Sequence, residues 1–334
     1  MLKPILVFFI AILLGSSLAA GCAPDTAARP VPLAPPQSTD PAVSPGFTIL
    51  SANVGNSSLF CWGSDFKLCR PQVFEQIKAN IAALDPEIVV LQELLGSWQC
   101  GPPDTGNPDH ICYQLDRHSQ ARALLGEGYT ILLNDRNDHE AIAVRTDAGL
   151  IEGCPAGGEC RSARTAPPID GCNAGFTVSA GTVTLNNGLE FDIVNMHPQS
   201  NKVDCRAEMT QQAFDQGLET PLIQHENVLI LGDFNFDPWR KPDRSVSVWN
   251  ANLEQGRSGR PFRYHSGIVE RDPPYYTFQL TLIRRTLDFA VSNFGDGVLA
   301  VMGKSAGTVR LDGGWGMDHK ALSGYLLTQN SGGD

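Results

Sequence analysis

Short apolar runs that end in polar residues recur along this chain, and they constrain its fold more than any other sequence feature. The polar residues that follow or end these runs are Asn53, Glu93, His197, the pair Asp233 and Asn235, and Asp288. A further polar cluster, Asp318-His319, lies near the C-terminus. Polar groups at the ends of buried strands are well placed to converge on one cleft.

The apolar runs are rich in β-branched and aliphatic residues, which is typical of strands. The predicted strands are 47–54, 87–92, 141–145, 175–183, 191–196 and 228–231. A helix is predicted from Pro71, since proline is tolerated at the first helical position and Ile77, Ile81 and Leu84 share one face. A second helix is predicted over 206–217, and long loops over 96–108 and 153–172.

The predicted strands outnumber the helices, and many connections are too short for right-handed crossovers. This pattern favours an α/β fold in which two mixed β-sheets pack face to face and helices lie outside them.

The N-terminus has the layout of a secretory signal peptide. Lys3 is followed by the apolar run 5–14 and by small residues up to Gly21. A membrane-spanning anchor is the alternative, but that run is shorter than the ~20 residues that a span needs. Cys22 follows a sequence that resembles a bacterial lipobox, although Ala19 stands where leucine is more usual. Both lipidation at Cys22 and ordinary cleavage with release stay open.

We expect four segments: a signal peptide over 1–21, a disordered Pro- and Ala-rich linker over 22–46, one catalytic domain over 47–327, and a tail over 328–334. The net charge of −11 lies in the domain, since residues 1–46 are neutral overall. An acidic domain argues against a tight, non-specific nucleic-acid binder, but bound divalent cations would still permit a nuclease. We expect a monomer, on the outer face of a bacterial membrane or secreted.

The chain has nine cysteines, an odd number for an exported protein. If Cys22 carries lipid, eight remain, and an oxidising compartment would allow up to four disulfides. Proximity suggests Cys61–Cys69, Cys100–Cys112 and Cys154–Cys160. A zinc site is the rival interpretation, but no close-set cysteine couples have zinc-finger spacing.

The polar residues divide into the parts that phosphoester hydrolysis needs. Glu93 and Asp318 are hard oxygen ligands suited to Mg²⁺ or Mn²⁺, and Asn53 can complete the metal shell. Each cluster alone is weak, because a carboxylate after a strand is commonly a turn residue or a helix cap.

The remaining polar residues suit acid–base work. His197 and His319 can act as acid, base or charge donor near neutral pH. Asp233 and Asp288 can orient a water or an imidazole, and Asn235 can hold a phosphate oxygen.

The order "SANVG", "VVLQE", "NMH", "LGDFN", "TLDFAVS" and "MDHKAL" resembles the endonuclease/exonuclease/phosphatase superfamily across residues 47–327. The resemblance implies a four-layered α/β sandwich and single-displacement hydrolysis of a phosphoester, usually with Mg²⁺. It also implies that Glu93 is the principal metal ligand, that Asn53 supports the metal or its water, and that Asp318 lies on the metal side.

The same resemblance assigns the acid–base groups. It makes Asp233 the residue that positions the attacking water, Asn235 a phosphate contact and His197 the first active-site histidine. Asp288 then orients His319, which we expect to contact the phosphate while His197 assists at the leaving-group side. The two histidine roles could be exchanged.

Three positions depart from the superfamily or are ambiguous. Met196 and Met317 replace the usual threonine and serine beside the two histidines, and neither would supply chemistry. Glu140 stands where a small residue is common, and we expect it to be a solvated loop carboxylate.

The substrate stays open between a nucleic acid and a phospholipid headgroup. Secreted bacterial sphingomyelinases are similar around "GC…GF" and "NMHPQSNKVDC", and this resemblance implies a Cys172–Cys205 disulfide. Residues 293–317 lack the aromatic cluster with which those enzymes contact membranes. Exported deoxyribonucleases of the pancreatic type are also acidic and disulfide-bonded. A catalytically inactive surface binding module, or a structural lipoprotein with a chance set of motifs, are the alternatives from other functional classes.

Overall fold

The computed structural model describes residues 43–55, 71–95, 119–136, 138–239, 242–265, 277–280, 283–302 and 319–329. Its helices are α1 (Pro71–Leu84), α2 (Gln120–Leu125), α3 (Val203–Gln212) and α4 (Arg244–Gln255). Its strands are β1 (Val43–Asn53), β2 (Ile88–Gln92), β3 (Tyr129–Leu133), β4 (Ala141–Arg145), β5 (Gly149–Ile151), β6 (Glu159–Cys160), β7 (Arg164–Thr165), β8 (Thr177–Leu185), β9 (Glu190–His197), β10 (Val228–Asp233), β11 (Arg263–Tyr264), β12 (Phe278–Leu280), β13 (Ile283–Arg285), β14 (Asp288–Ser292), β15 (Asp296–Val301) and β16 (Leu322–Gln329).

In the described part of the chain, the strands form two mixed sheets of seven strands each and a separate β12–β13 hairpin. The order of the first sheet is β15-β16-β1-β2-β4-β3-β6, and that of the second is β11-β14-β10-β9-β8-β5, with β7 also paired to β8. Within them, β1 runs parallel to β2 and β9 runs parallel to β10, while the other pairs that surround the site are antiparallel.

Successive side chains along a strand point to opposite faces of the sheet, and this explains why both faces of the first sheet are buried. Ile49 of β1 packs in the core shared with the second sheet, whereas Leu50 packs on the opposite face with α1 and α2. On the far side of the second sheet, Met209 of α3 and Trp249 of α4 pack against residues of the same hydrophobic cluster. The four layers are therefore helices, sheet, sheet and helices, and the predicted α/β sandwich is confirmed.

The structure changes several predicted boundaries. Helix α3 begins at Val203 and ends at Gln212, five residues before Gly217. It ends early because Asp215 adopts φ 62°, and its carboxylate accepts hydrogen bonds from the amides of Leu222 and Ile223. The predicted loop 153–172 contains β6 and β7, which pair with β3 and β8.

The paired strands at the ends of the domain extend slightly past the expected limits. β1 begins at Val43, before residue 47, and β16 ends at Gln329, after residue 327. The predicted loop 96–108 lies outside the described residues. Among the helices of the described ranges, none is long and apolar enough to cross a bilayer.

Candidate active site

The site lies where the carboxyl ends of parallel strands from both sheets meet. Asn53 ends β1, Glu93 follows β2, His197 ends β9 and Asp233 ends β10. Asp288 joins them from an antiparallel strand, because β14 begins directly opposite Asp233. The topology thus brings together side chains that are up to 235 residues apart in sequence (288 − 53).

Two buried amides bridge the sheets beside these residues. The Nδ2 group of Asn195 donates to the carbonyl oxygens of Leu91 (3.1 Å) and Ala141 (3.4 Å), while Gln92 Nε2 donates to Asn195 Oδ1 (2.9 Å). Gln92 precedes Glu93, and Asn195 lies two residues before His197. Hydrogen bonds in a buried environment are strong and directional, so this bridge fixes the spacing of the two sheets at the site.

Asp233 lies at the centre of the contacts. Its Oδ1 accepts from the amide of Asn235 (2.8 Å), and its Oδ2 accepts from Asn53 Nδ2 (3.0 Å). Oδ2 also lies 3.5 Å from His319 Nε2. Burial raises the pKa of Asp233, and Asp288 adds to this, while the imidazoles of His319 and His197 act to lower it. A basic carboxylate is thus held in a fixed orientation.

His319 is oriented by Asp288, as the resemblance implied. Its Nδ1 lies 2.8 Å from Asp288 Oδ2, so this nitrogen carries the proton when the ring is neutral. The Nε2 atom then faces Asp233 and the cleft. The ring of Phe278 packs against the imidazole, with ring centroids 5.1 Å apart.

His197 is buried between two carboxylates. Its Nε2 lies 3.4 Å from Glu93 Oε1, and its Nδ1 lies 3.6 Å from Glu140 Oε1. The ring of Phe176 meets the imidazole edge-on, with centroids 5.1 Å apart. Both nitrogens of His197 therefore face acidic groups.

The prediction that Glu140 is a solvated loop carboxylate is wrong. Glu140 is fully buried, and its Oε2 accepts hydrogen bonds from Asn134 Nδ2 (3.1 Å), Ser179 Oγ (3.3 Å) and the Thr177 hydroxyl. With Oε2 held in this way, Oε1 points at His197. The topology explains the error, because the beginning of β4 lies at the same edge as the end of its antiparallel neighbour β2. A polar residue at the amino end of an antiparallel strand was the overlooked signal.

Glu93 is the most accessible of these acidic groups, with 20% of its side chain exposed. It adopts φ 58°, in the left-handed region. A Cβ atom at Gly55 would overlap the Glu93 carboxylate, so only glycine at position 55 allows this placement. A strained backbone at Glu93, together with a neighbouring position where only glycine fits, is typical of a functional residue.

The donor set fits a divalent cation. Ligand atoms of Glu93, His197 and Asp233 lie within 4.8 Å of one another, and so do those of Asp233, Asp288 and His319. Carboxylate oxygens are the ligands that Mg²⁺ and Mn²⁺ prefer. Burying several carboxylates together is costly unless positive charge offsets them, and a bound cation at Glu93 and Asp233 would do so. The predicted ligand Asp318 lies outside the described residues.

Residues 50–296 match the Endonuclease/Exonuclease/phosphatase family, which is about three-quarters of the chain. The chain belongs to this family. Members of the endonuclease/exonuclease/phosphatase family hydrolyse phosphoesters with the help of a divalent metal ion, and this chain is accordingly a metal-dependent phosphoester hydrolase.

Solved structures of low sequence identity share the fold. A conserved protein of unknown function from Enterococcus faecalis V583 is 13% identical, with a TM-score of 0.52 over 85% of this chain and 100% of that one. A humanized TDP2 from D. rerio is 13% identical, with a TM-score of 0.52 over 84% and 98%. An endonuclease/exonuclease/phosphatase family protein from Bacteroides thetaiotaomicron is 15% identical, with a TM-score of 0.51 over 85% and 96%. No curated protein sequence matches the chain.

The segment after His197 is held from two sides. Asn235, at φ 54°, donates from Nδ2 to the carbonyl oxygen of Pro198 (2.9 Å). The structure contains the Cys172–Cys205 disulfide, with Cα atoms 5.8 Å apart, and it joins α3 to the segment before β8. Cys154 and Cys160 form a second disulfide. The remaining cysteine predictions fall outside the described residues, at Cys22, Cys61, Cys69, Cys100 and Cys112.

Proposed function

We propose that this chain is a Mg²⁺- or Mn²⁺-dependent phosphodiesterase that works outside the cytoplasm. One observation carries the proposal: the two histidines face a common carboxylate. His319 Nε2 lies 3.5 Å from Asp233, and a ring nitrogen of His197 lies within 4.8 Å of the ligand atoms of Asp233 and Glu93. One phosphate placed beside Asp233 would therefore meet an imidazole on each side.

In this mechanism Asp233 orients the attacking water. Its carboxylate is fixed by Asn53 and by the amide of Asn235, so little reorganisation is needed when the water is deprotonated. Glu93 and Asp318 would hold the metal ion, with Asn53 supporting it, and the ion would supply Lewis-acid stabilisation of the phosphate charge.

The histidines then act on phosphate and leaving group. His319, held through Nδ1 by Asp288, presents Nε2 to a phosphate oxygen, and the side-chain amide of Asn235 is the second phosphate contact. His197 lies between Glu93 and Glu140, and we assign to it the donation of a proton to the departing oxygen. In-line displacement needs these two functions on opposite sides of phosphorus.

The charge of the site favours a diester over a monoester. Within the described residues, the ion pairs of Glu140, Asp233 and Asp288 are all with imidazoles. A site with this much negative charge repels the dianion of a phosphomonoester more strongly than the monoanion of a phosphodiester.

Nucleic acid and a phospholipid headgroup are the two candidate substrates. The Cys172–Cys205 disulfide favours the phospholipid, because the sequence around it is similar to that of secreted sphingomyelinases. The net charge of −11 also disfavours non-specific binding to a nucleic-acid backbone.

Export is part of the proposal. The signal-peptide pattern over 1–21 and the two disulfides support an oxidising compartment. We propose that a linker between Cys22 and the start of β1 at Val43 connects a monomeric catalytic domain to a membrane through lipidated Cys22, or that the domain is released.

The test uses bis(p-nitrophenyl) phosphate as a chromogenic diester. We expect hydrolysis with Mg²⁺ or Mn²⁺, none in excess EDTA, and none after Glu93→Ala, while Glu190→Ala on the exposed start of β9 leaves the rate unchanged. Full activity in EDTA would contradict metal dependence. DNA, RNA, sphingomyelin and p-nitrophenyl phosphate, compared at equal concentration, identify the substrate class. Faster turnover of the monoester than of every diester would overturn the phosphodiesterase proposal.

A further inference from the structure

Thr277 ties together the two segments that supply Asp288 and His319. It is fully buried, and its hydroxyl oxygen accepts hydrogen bonds from two successive amides, those of Leu287 and Asp288, each at 2.9 Å. Its own amide donates to the carbonyl oxygen of Arg285 (3.0 Å), and its carbonyl oxygen accepts from the amide of Lys320 (2.7 Å).

These contacts hold the backbone beside each member of the pair Asp288 and His319. The Asp288 amide is held by the Thr277 side chain, while the residue after His319 is held by the Thr277 main chain. The neighbouring residue, Phe278, forms a β-bridge with His319 and packs its ring against the imidazole. The 2.8 Å contact between His319 and Asp288 thus depends on two segments whose relative position Thr277 sets.

The chemistry of the hydroxyl explains why this residue type is required. A hydroxyl oxygen has two acceptor sites, and the amides of Leu287 and Asp288 occupy both. Successive amides of a regular strand point to opposite sides, so their convergence on one atom marks the place where the strand begins. Valine has the shape of threonine without the acceptor and would leave both amides without this partner.

We propose that Thr277 is a positioning residue that holds the Asp288 carboxylate in register with His319. The inference rests on the proposed function, in which His319 contacts the phosphate.

The experiment measures kcat and KM for bis(p-nitrophenyl) phosphate with Mg²⁺. We expect Thr277→Val to lower kcat by about 10²-fold with KM changed by less than about threefold, because a misplaced catalytic group costs turnover rather than binding. Thr277→Ser keeps the acceptor and should restore kcat to within about threefold of wild type. Thr328→Val is the matched control, since Thr328 is a buried threonine on β16.

Thr277→Ala serves as a second variant if the valine side chain prevents folding, as judged by circular dichroism. It also lacks the acceptor, and we expect it to lower kcat at least about tenfold. A folded valine or alanine variant with wild-type kcat overturns the inference, as does a serine variant that loses as much as valine.

A double-mutant cycle separates positioning from general stability. In an Asp288→Asn background the carboxylate is already lost, so Thr277→Val should have little further effect on kcat. An equal loss in both backgrounds would show that Thr277 acts elsewhere. If Asp288→Asn and His319→Ala both keep full activity, the proposed function fails instead; if they lose activity and Thr277→Val does not, only the inference fails.

Discussion

Asp233 accepts hydrogen bonds from Asn53 and Asn235 and lies beside His319, and its proposed role as the water-orienting base predicts a coupled mutational response. Removal of a positioned acid or base costs ~10²–10⁴-fold in rate. We expect losses of this size in kcat/KM for Asp233→Asn, His197→Ala and His319→Ala. Because these groups act as a unit, the His197/His319 double variant should lose far less than the product of the single effects.

Steady-state kinetics on folded variants provide the check. A variant that keeps near-wild-type kcat/KM removes that residue from the mechanism, and retention of activity by all three would place the active site elsewhere. Multiplicative losses in the double variant would show that the histidines act independently.

Glu140 provides a second test at the scale of single residues. The Glu140 carboxylate accepts three hydrogen bonds through Oε2 and faces His197 Nδ1 through Oε1. In Glu140→Gln, one of these two oxygens becomes an NH₂ group. Either orientation breaks a contact, so we expect kcat/KM to fall by at least about tenfold, with some loss of stability. Glu190→Gln, at the exposed start of β9 in the second sheet, is the control. Equal activity of the two variants would mean that Glu140 does not act on His197.

At the scale of elements, the sequence predicted the helix and the strands that follow from hydrophobic periodicity and from runs of β-branched residues. Helix α1 begins at Pro71 and ends at Leu84, and the predicted strands all exist. The contacts that depend on topology were not predictable: β6 and β7 are two-residue strands that exist because β3 and β8 offer unpaired edges. Glu140 was misjudged for the same reason, because a side chain at the start of a strand reaches the site only when that strand is antiparallel.

The two disulfides should differ in their effect on stability. The Cys172–Cys205 pair spans 33 residues and Cys154–Cys160 spans 6. Loop-closure entropy gives about 4 kcal/mol for the first and about 2 kcal/mol for the second. We expect the double alanine variant at 172 and 205 to be the less stable in urea unfolding, and to lose activity, because that bond fixes α3, which follows the His197 segment, to the segment before β8. Equal midpoints for the two variants would contradict this.

At the scale of the whole molecule, His265 connects the two sheets. Its amide donates to the carbonyl oxygen of Ala290 in β14 (3.0 Å), and its carbonyl oxygen accepts from the amide of Leu299 in β15 (2.6 Å). The ring Nε2 lies 2.6 Å from the hydroxyl of Ser292, at the end of β14. A residue bonded to one strand of each sheet resists their separation, so a change in its charge acts on the stability of the whole domain.

Acid should therefore destabilise the protein through His265. Burial lowers the pKa of its imidazole from about 6.5 to about 4, although Asp296 acts to raise it. Between pH 6.5 and pH 4 the unfolded chain binds a proton that the folded protein does not. The free energy of unfolding must then fall as the pH falls through this window, by about 3 kcal/mol from His265 alone. This contribution is fully present above pH 6.5 and is lost by pH 4.

Urea unfolding of wild type and His265→Gln at pH 7 and pH 4 tests this. Glutamine does not titrate and can still donate to Ser292, so we expect the variant to lose about 3 kcal/mol less than wild type between the two pH values. His225→Gln is the control, a histidine substitution at a position that is less buried than His265. Parallel losses in wild type and His265→Gln would show that other groups, the active-site carboxylates among them, carry the whole acid sensitivity.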